Sequence, residues 1–274
     1  MQKLAVITNI KKDPNGEITA SCIDILNNRF EIVCSDGIDP QKRRQALKGA
    51  FAAIVIGGDG TILSTAADAA EEDVPVLGIN KGNMGFLADV ELAEIDAALT
   101  ALCNGRYRIE ERFMLSAKAI GADGTPKELT ALNDLVISRA SYTRMVALDV
   151  WVDGHFLSSY VGDGVVIATP TGSTAYSLSA GGPLVDASLN VALITPVCSH
   201  TMSANPMIVP GCAKITVKFK NTFDDVALLN ADGQRAVEIS DGTEVFVEAS
   251  PYKTKLIKIS DRCFYEILHK KLQG

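Results

Sequence analysis

One stretch constrains the fold of this chain more than any other. The apolar run Ala52-Ala53-Ile54-Val55-Ile56 ends in Gly57-Gly58-Asp59-Gly60-Thr61 and gives way at once to a helical pattern. A strand, a glycine turn and a helix in that order belong to an open α/β sheet, whose ligands bind beyond the carboxyl ends of the strands. The helix start presents N–H groups and a positive dipole end, which suits phosphate, and glycines let the backbone approach it closely. Asp59 is an unusual choice in such a cradle, because a carboxylate repels phosphate unless it binds a cation or takes a proton from an attacking hydroxyl. The bland alternative is a strand-to-helix turn with Asp59 as a helix cap.

The surroundings agree with an α/β layer. Short β-rich runs begin at Leu4, Phe30, Phe51 and Val74. Between them Ile62, Leu63, Ala66, Ala67 and Ala70, and later Leu92, Ile95, Leu99 and Leu102, recur at helical spacing. This alternation predicts a doubly wound α/β domain over residues 1–105. After Gly105 the texture changes to successive short strands with Gly, Asp and Pro turns, which predicts a mainly β, sandwich-like domain over 106–255. The end of the chain, 256–274, returns to helical spacing at Phe264, Ile267 and Leu268 and is expected to pack on the first domain.

A chain of 274 residues with 47% hydrophobic and 22% charged residues can bury sizeable cores. Its formal net charge of −7 argues against a nucleic-acid-coating surface, so any anion it handles is bound locally. No apolar run approaches the ~20 residues needed to cross a bilayer, and no export signal is visible. The six cysteines lack CxxC spacing and the three histidines lie far apart, so neither a disulfide framework nor a zinc site is signalled. A reduced, cytoplasmic protein is expected. Neither G-x-x-x-x-G-K-[ST] nor an early G-x-G-x-x-G occurs, which excludes a P-loop hydrolase and leaves ordinary Rossmann dehydrogenase chemistry without support.

A second stretch, from Gly162-Asp163-Gly164 through Thr169-Pro170-Thr171-Gly172-Ser173-Thr174-Ala175-Tyr176-Ser177-Leu178-Ser179 to Pro183, is dense in hydroxyls, glycines and small residues. It suits a loop that wraps a polar ligand through hydroxyl and backbone hydrogen bonds.

Together these two stretches resemble the NAD kinase family over most of the chain. GGDGT alone is shared with lipid kinases and is similar to a phosphofructokinase motif. The segment TPTGSTAYSLSAGGP separates the families. Weaker matches follow in order at Leu132-Asn133-Asp134, Pro196-Val197-Cys198-Ser199-His200 and Asp232-Gly233-Gln234. The resemblance implies an N-terminal α/β domain, a C-terminal β-rich domain, and a homodimer or homotetramer. It also implies transfer of a phosphoryl group from ATP or inorganic polyphosphate, with a divalent cation such as Mg²⁺, to the adenosine 2′-hydroxyl of NAD.

By that resemblance Asp59 is the proton acceptor, and Gly57, Gly58, Gly60 and Thr61 hold the phosphoryl donor. Asp59, Gly60, Asn133, Asp134, Arg144, Asp163, the run Thr174-Ala175-Tyr176-Ser177-Leu178-Ser179, and Gln234 contact NAD. Asp232 aligns the acceptor hydroxyl or simply starts a glycine turn. His200 assists at a phosphate or is a structural histidine. Cys198 reads as a small buried residue, and Lys42-Arg43-Arg44 as a solvated face that could steer donor phosphates. Three positions depart from the family pattern: Asp134 is one methylene shorter than the usual Glu, Ser199 replaces a proline, and Val161 stands where some relatives are basic. A lipid or sugar kinase using the same glycine element, and a non-catalytic NAD sensor, remain as rivals.

Overall fold

A computed structural model describes residues 1–82, 85–121, 123–141, 144–201, 204–220 and 226–272. In chain order the elements begin with β1 (Gln2–Thr8), α1 (Glu17–Leu26), β2 (Phe30–Asp36), α2 (Pro40–Leu47) and β3 (Ala52–Gly57). They continue with α3 (Asp59–Glu71), β4 (Val76–Asn80), β5 (Val90–Glu91), α4 (Ile95–Cys103) and β6 (Arg108–Arg112). A run of strands follows: β7 (Leu115–Ile120), β8 (Pro126–Ala131), β9 (Asp134–Arg139), β10 (Val146–Val152), β11 (His155–Gly162) and β12 (Gly164–Ala168). After a short helix α5 (Tyr176–Ser179) come β13 (Val191–Val197), β14 (Met207–Pro210), β15 (Ile215–Lys220), β16 (Ala227–Ala231), β17 (Arg235–Ile239) and β18 (Glu244–Ala249). The chain closes with β19 (Thr254–Lys258) and α6 (Phe264–Leu272).

Two compact units result: Met1–Arg112 with Tyr252–Gly274, and Phe113–Pro251. The division falls at Arg112 rather than at the change of texture near Gly105, because β6 pairs antiparallel with the returning strand β19 and so joins the first sheet.

The sheet of the first unit runs β2-β1-β3-β4-β19-β6, with β5 beside β4. Its first four strands are parallel. β3 and β4 are buried at every residue, as expected of strands covered by helices on both faces. On one face Leu4, Val6, Ile54, Ile56, Leu77 and Leu99 share a core with α1 and α4. On the other, α3 packs through small residues, burying Thr65, Ala66 and Ala69. α2 starts cleanly because the Asp39 carboxylate accepts the N–H groups of Gln41 and Lys42, and Pro40 occupies the first turn.

The second unit holds two antiparallel sheets, β11-β10-β15-β18-β7-β8 and β14-β13-β12-β9-β16-β17. Alternate residues of both, among them Leu148, Val150, Val217, Ile137, Ile167, Ile194 and Leu229, form one core, as in a β-sandwich. β12 departs from this alternation and is buried throughout. Its outward Val166 and Ala168 are covered by Val185 beside Val136, Leu193 and Val197. The hydroxyl-rich segment after β12 therefore folds back onto the sheet that produces it. An α/β domain followed by a β-rich domain is the expected architecture.

Candidate active site

In the first unit the strand order changes direction between β1 and β3. The crevice at the carboxyl ends of those strands is where such sheets bind ligands. Asn9, Gly57 and Asn80 follow or end β1, β3 and β4 there. The GGDGT turn lies at that edge, with Gly58 extended and α3 beginning at Asp59, so the positive end of a 13-residue helix faces the crevice. Thr61 is buried, and its hydroxyl accepts the Asn9 side-chain amide at 3.2 Å, so it secures the turn to β1.

Asp59 is half-buried and does not cap its own helix. It reaches to the loop after β4, where its carboxylate accepts the backbone N–H groups of Phe86 (2.7 Å), Leu87 (3.2 Å) and Ala88 (3.3 Å). A carboxylate has about four lone-pair positions, so three donors orient it while leaving capacity for a further hydrogen bond. Gly85 stands at the mouth of this cradle. A Cβ there would overlap the Asp59 carboxylate, so glycine is required by the close approach.

In the second unit the residues after β12 form a tight turn of 3₁₀ helix, Thr171–Thr174, and then α5. Much of the hydroxyl content is used inside this turn. Thr169 donates to the Leu132 carbonyl at 2.5 Å and accepts the Gly172 N–H. The Ser173 hydroxyl exchanges bonds with both backbone groups of Val185, and the buried Ser177 hydroxyl lies 2.9 Å from that of Thr195. What stays open is Tyr176 and Ser179, with Thr174, Ala175 and Leu178 half-buried. Gly172 has no room for a side chain, since a Cβ would overlap the Asn133 carbonyl. The turn is thereby pressed against the Asn133-Asp134 pair.

That pair is held from the other side by Asp232, whose carboxylate accepts the N–H groups of Leu132 (2.9 Å), Asn133 (2.8 Å) and Asp134 (3.1 Å). Asp232 has φ +55° and Gly233 +68°, a left-handed turn that Asp tolerates better than most residues. Asp134 is 5% exposed; burial, and then the charge of Asp232, push its carboxyl up to about 7. Asp163 is gripped by Arg139, with Nε 2.8 Å from one carboxylate oxygen and Nη2 3.3 Å from the other. Burial, and then the nearby Cys198, Asp163 and Asp134, raise the Tyr176 phenol. Asn133, Asp134, Asp163, Tyr176 and Asp232 therefore belong to one neighbourhood of the second unit.

Arg144 and Gln234 are exposed. His200 is exposed, and its backbone N–H donates to the Val161 carbonyl at 2.8 Å. Two expectations are corrected. Cys198 is exposed, with φ +46°, where the chain turns sharply after β13. Arg43 is not on a solvated face: it is 4% exposed, and with Arg44 it binds the buried Asp68 at 2.6 and 2.8 Å, so both guanidinium groups are committed to joining α2 to α3. Against its burial, Arg44 and Arg43 hold the Asp68 carboxyl below the usual range.

The Phe86–Ala88 amide cradle and Arg139 escaped the sequence reading. A glycine-punctuated turn after the apolar run from Val74 was the available signal for the first. Arg139 carried none, because it meets Asp163 only through strand pairing.

Among the described residues no group of three His, Cys, Asp or Glu side chains could hold a metal ion.

A helix-start turn suited to phosphate in one unit and a cluster of amide, carboxylate and phenol groups in the other fit a two-domain small-molecule phosphotransferase. Residues 6–107 match the family model for the ATP-NAD kinase N-terminal domain, and residues 132–259 that for the ATP-NAD kinase C-terminal domain. The chain belongs to the NAD kinase family. It is 40% identical to the NAD kinase of Natranaerobius thermophilus, covering 100% of this chain and 99% of that protein. It is 42% identical to that of Clostridium botulinum, covering 99% and 96%. In fold it is similar to a yeast NADH kinase complexed with NADH (TM-score 0.87, 22% identity, 99% of this chain and 88% of that one). An NAD kinase from Archaeoglobus fulgidus in complex with ATP gives a TM-score of 0.82 at 23% identity, covering 98% and 99%.

Proposed function

We propose that this enzyme transfers the terminal phosphoryl group of ATP or inorganic polyphosphate to the adenosine 2′-hydroxyl of NAD, giving NADP. The observation that carries this reading is the coexistence, in one chain, of the Asp59 turn with the Asn133-Asp134, Asp163 and Tyr176 neighbourhood, which a lipid or sugar kinase has no use for. Phosphoryl transfer asks mainly for positioning and charge stabilisation. Gly57, Gly58, Gly60 and Thr61 hold the donor at the start of α3. Asp59 and Gly60, with Asn133, Asp134, Arg144, Asp163, the run Thr174–Ser179 and Gln234, hold NAD.

As the 2′-oxygen bonds to the terminal phosphorus, the bridging P–O bond breaks and its electrons leave with ADP or the shortened polyphosphate. The hydroxyl proton passes to Asp59 and then to solvent. A divalent cation bound to the donor phosphates would offset their charge beside Asp59. Asp59 is poised for its part because three amide donors fix its orientation.

The test is direct: purified protein with NAD, magnesium and either ATP or polyphosphate is expected to produce NADP. Absence of product with every common donor, in a folded sample that binds NAD, overturns the reading and leaves an NAD sensor. The same reading makes the protein a cytoplasmic homodimer or homotetramer. The six unpaired cysteines support the compartment, and exposed Phe156, Met207 and Ile208 on the edge strands β11 and β14 support association. Light scattering at micromolar concentration is expected to exceed the 29.1 kDa chain mass.

A further inference from the structure

The proposed reaction leaves one buried ion pair of the first unit without a task. Asp89 and Lys258 are 3% and 5% exposed, and Lys258 Nζ lies 3.3 Å from Asp89 Oδ1. Asp89 directly follows the three residues whose N–H groups hold Asp59. Its own carboxylate accepts the backbone N–H groups of Ile259 (2.7 Å) and Ser260 (2.9 Å) and the Ser260 hydroxyl (2.9 Å). Its carbonyl accepts from Arg262 Nη1 at 2.9 Å, and its N–H donates to the Gly78 carbonyl of β4 at 3.1 Å. At the other end of the same loop the Phe86 ring packs on Phe264 of α6, with centroids 6.1 Å apart. The amide cradle is thus clamped at both ends by residues from Lys258 to Phe264, about 170 positions later in the chain.

A buried ion pair is rarely a net source of stability, because desolvating two charges offsets most of their attraction. Asp89 aims instead at successive donors of another segment, which is how a loop is fixed in one place. Misplacing a reacting group by about 1 Å can cost ~100-fold in rate. We propose that Asp89 is a positioning residue of the reaction: anchored on Lys258, Ile259 and Ser260, it sets the Phe86–Ala88 amides that orient the Asp59 carboxylate. This rests on the reading of Asp59 as proton acceptor. The returning C-terminal segment is then part of the catalytic apparatus without touching substrate.

Asp89→Asn tests this in the intact protein, alone and combined with Asp59→Asn. The single variant is expected to lose ~10–100-fold in kcat with KM for NAD unchanged. In the Asp59→Asn background, assayed at high enzyme concentration, the same change is expected to cost nothing further, since the group it positions is already gone. Normal kcat in a folded Asp89→Asn protein, a rise in KM in place of a loss of kcat, or an undiminished loss in the Asp59→Asn background overturns the proposal. Should Asp89→Asn fail to fold, Ser260 decides: Ser260→Ala is expected to lower kcat several-fold and Ser260→Thr to restore it, whereas full turnover in Ser260→Ala overturns the proposal. If Asp59→Asn itself keeps near-normal turnover, it is the proton-acceptor reading that fails.

Discussion

Two carboxylates in this protein, one in each unit, gather three consecutive backbone N–H groups, and they differ in which partner faces the chemistry. In the first unit the loop holds the carboxylate: Asp59 is the proposed reacting group and the Phe86–Ala88 amides are its support. In the second the carboxylate holds the loop: Asp232 stays behind the Leu132–Asp134 segment, whose Asn133 and Asp134 side chains are proposed ligand contacts. A carboxylate bound to several N–H groups serves as a hinge pin that rotates little. Which side of the pin carries function depends on what else surrounds it.

The comparison breaks most readily at Asp59. Asp59→Asn retains size and much of the hydrogen bonding but removes the proton acceptor. Turnover is expected to fall ~10²–10⁴-fold while NAD affinity, followed by calorimetric titration, changes little. Near-normal turnover would make Asp59 a brace like Asp232.

Two glycines sharpen the contrast. Gly85→Ala drives a methyl into the Asp59 carboxylate, and Gly172→Ala drives one into the Asn133 carbonyl. Steady-state kinetics should show a ~10–100-fold loss of kcat for the first, from a displaced reacting group. The second should raise KM for NAD and lower the melting temperature, since forcing in an extra methyl costs about 1–3 kcal/mol.

Asp232→Asn tolerates the left-handed turn but weakens the three charge-assisted bonds. Its expected signature is a roughly tenfold rise in KM for NAD with kcat nearly intact, corresponding to about 1.4 kcal/mol. A dominant loss of kcat would instead make Asp232 the reacting group.

One expectation, for Asp134, is read as stability rather than kinetics. Its carboxyl is raised from an ordinary 3.8 to about 7, so the folded protein holds this proton more tightly than the unfolded chain does. Its contribution is therefore greatest below about pH 4 and is lost as pH rises through 7. Thermal melts of Asp134→Asn should decline less than those of the unaltered protein between pH 5 and 8. Parallel declines would show that Asp134 does not bury a charge.

Much of this was legible in the residues. The alternation of apolar runs and helical spacing marks the α/β layer, and the short strands after it mark the β-rich domain. The GGDGT turn lies at a helix start because glycine and local periodicity dictate it. Asn133, Asp134, Asp163 and Tyr176 were also legible as candidates, through the resemblance to the NAD kinase family.

Their working arrangement was not legible, and Arg43 illustrates why. A charged triplet reads as surface until its partner, Asp68 on the next helix, is seen buried beside it. The hydroxyls of the segment after β12 read only as a ligand-wrapping loop, and the turn that folds back bonds that of Ser173 to Val185 and sets that of Ser177 2.9 Å from Thr195.

The sequence by itself determined the elements, the class of domain and the residue types available for chemistry, because these follow from local propensity and spacing. Only the tertiary structure decided that the Asp59 carboxylate rests on amides 27 to 29 positions downstream, and that Asp232 reaches back about a hundred positions. Such contacts depend on sheet order and strand register, and hydrogen bonds across those separations leave no periodicity in the chain.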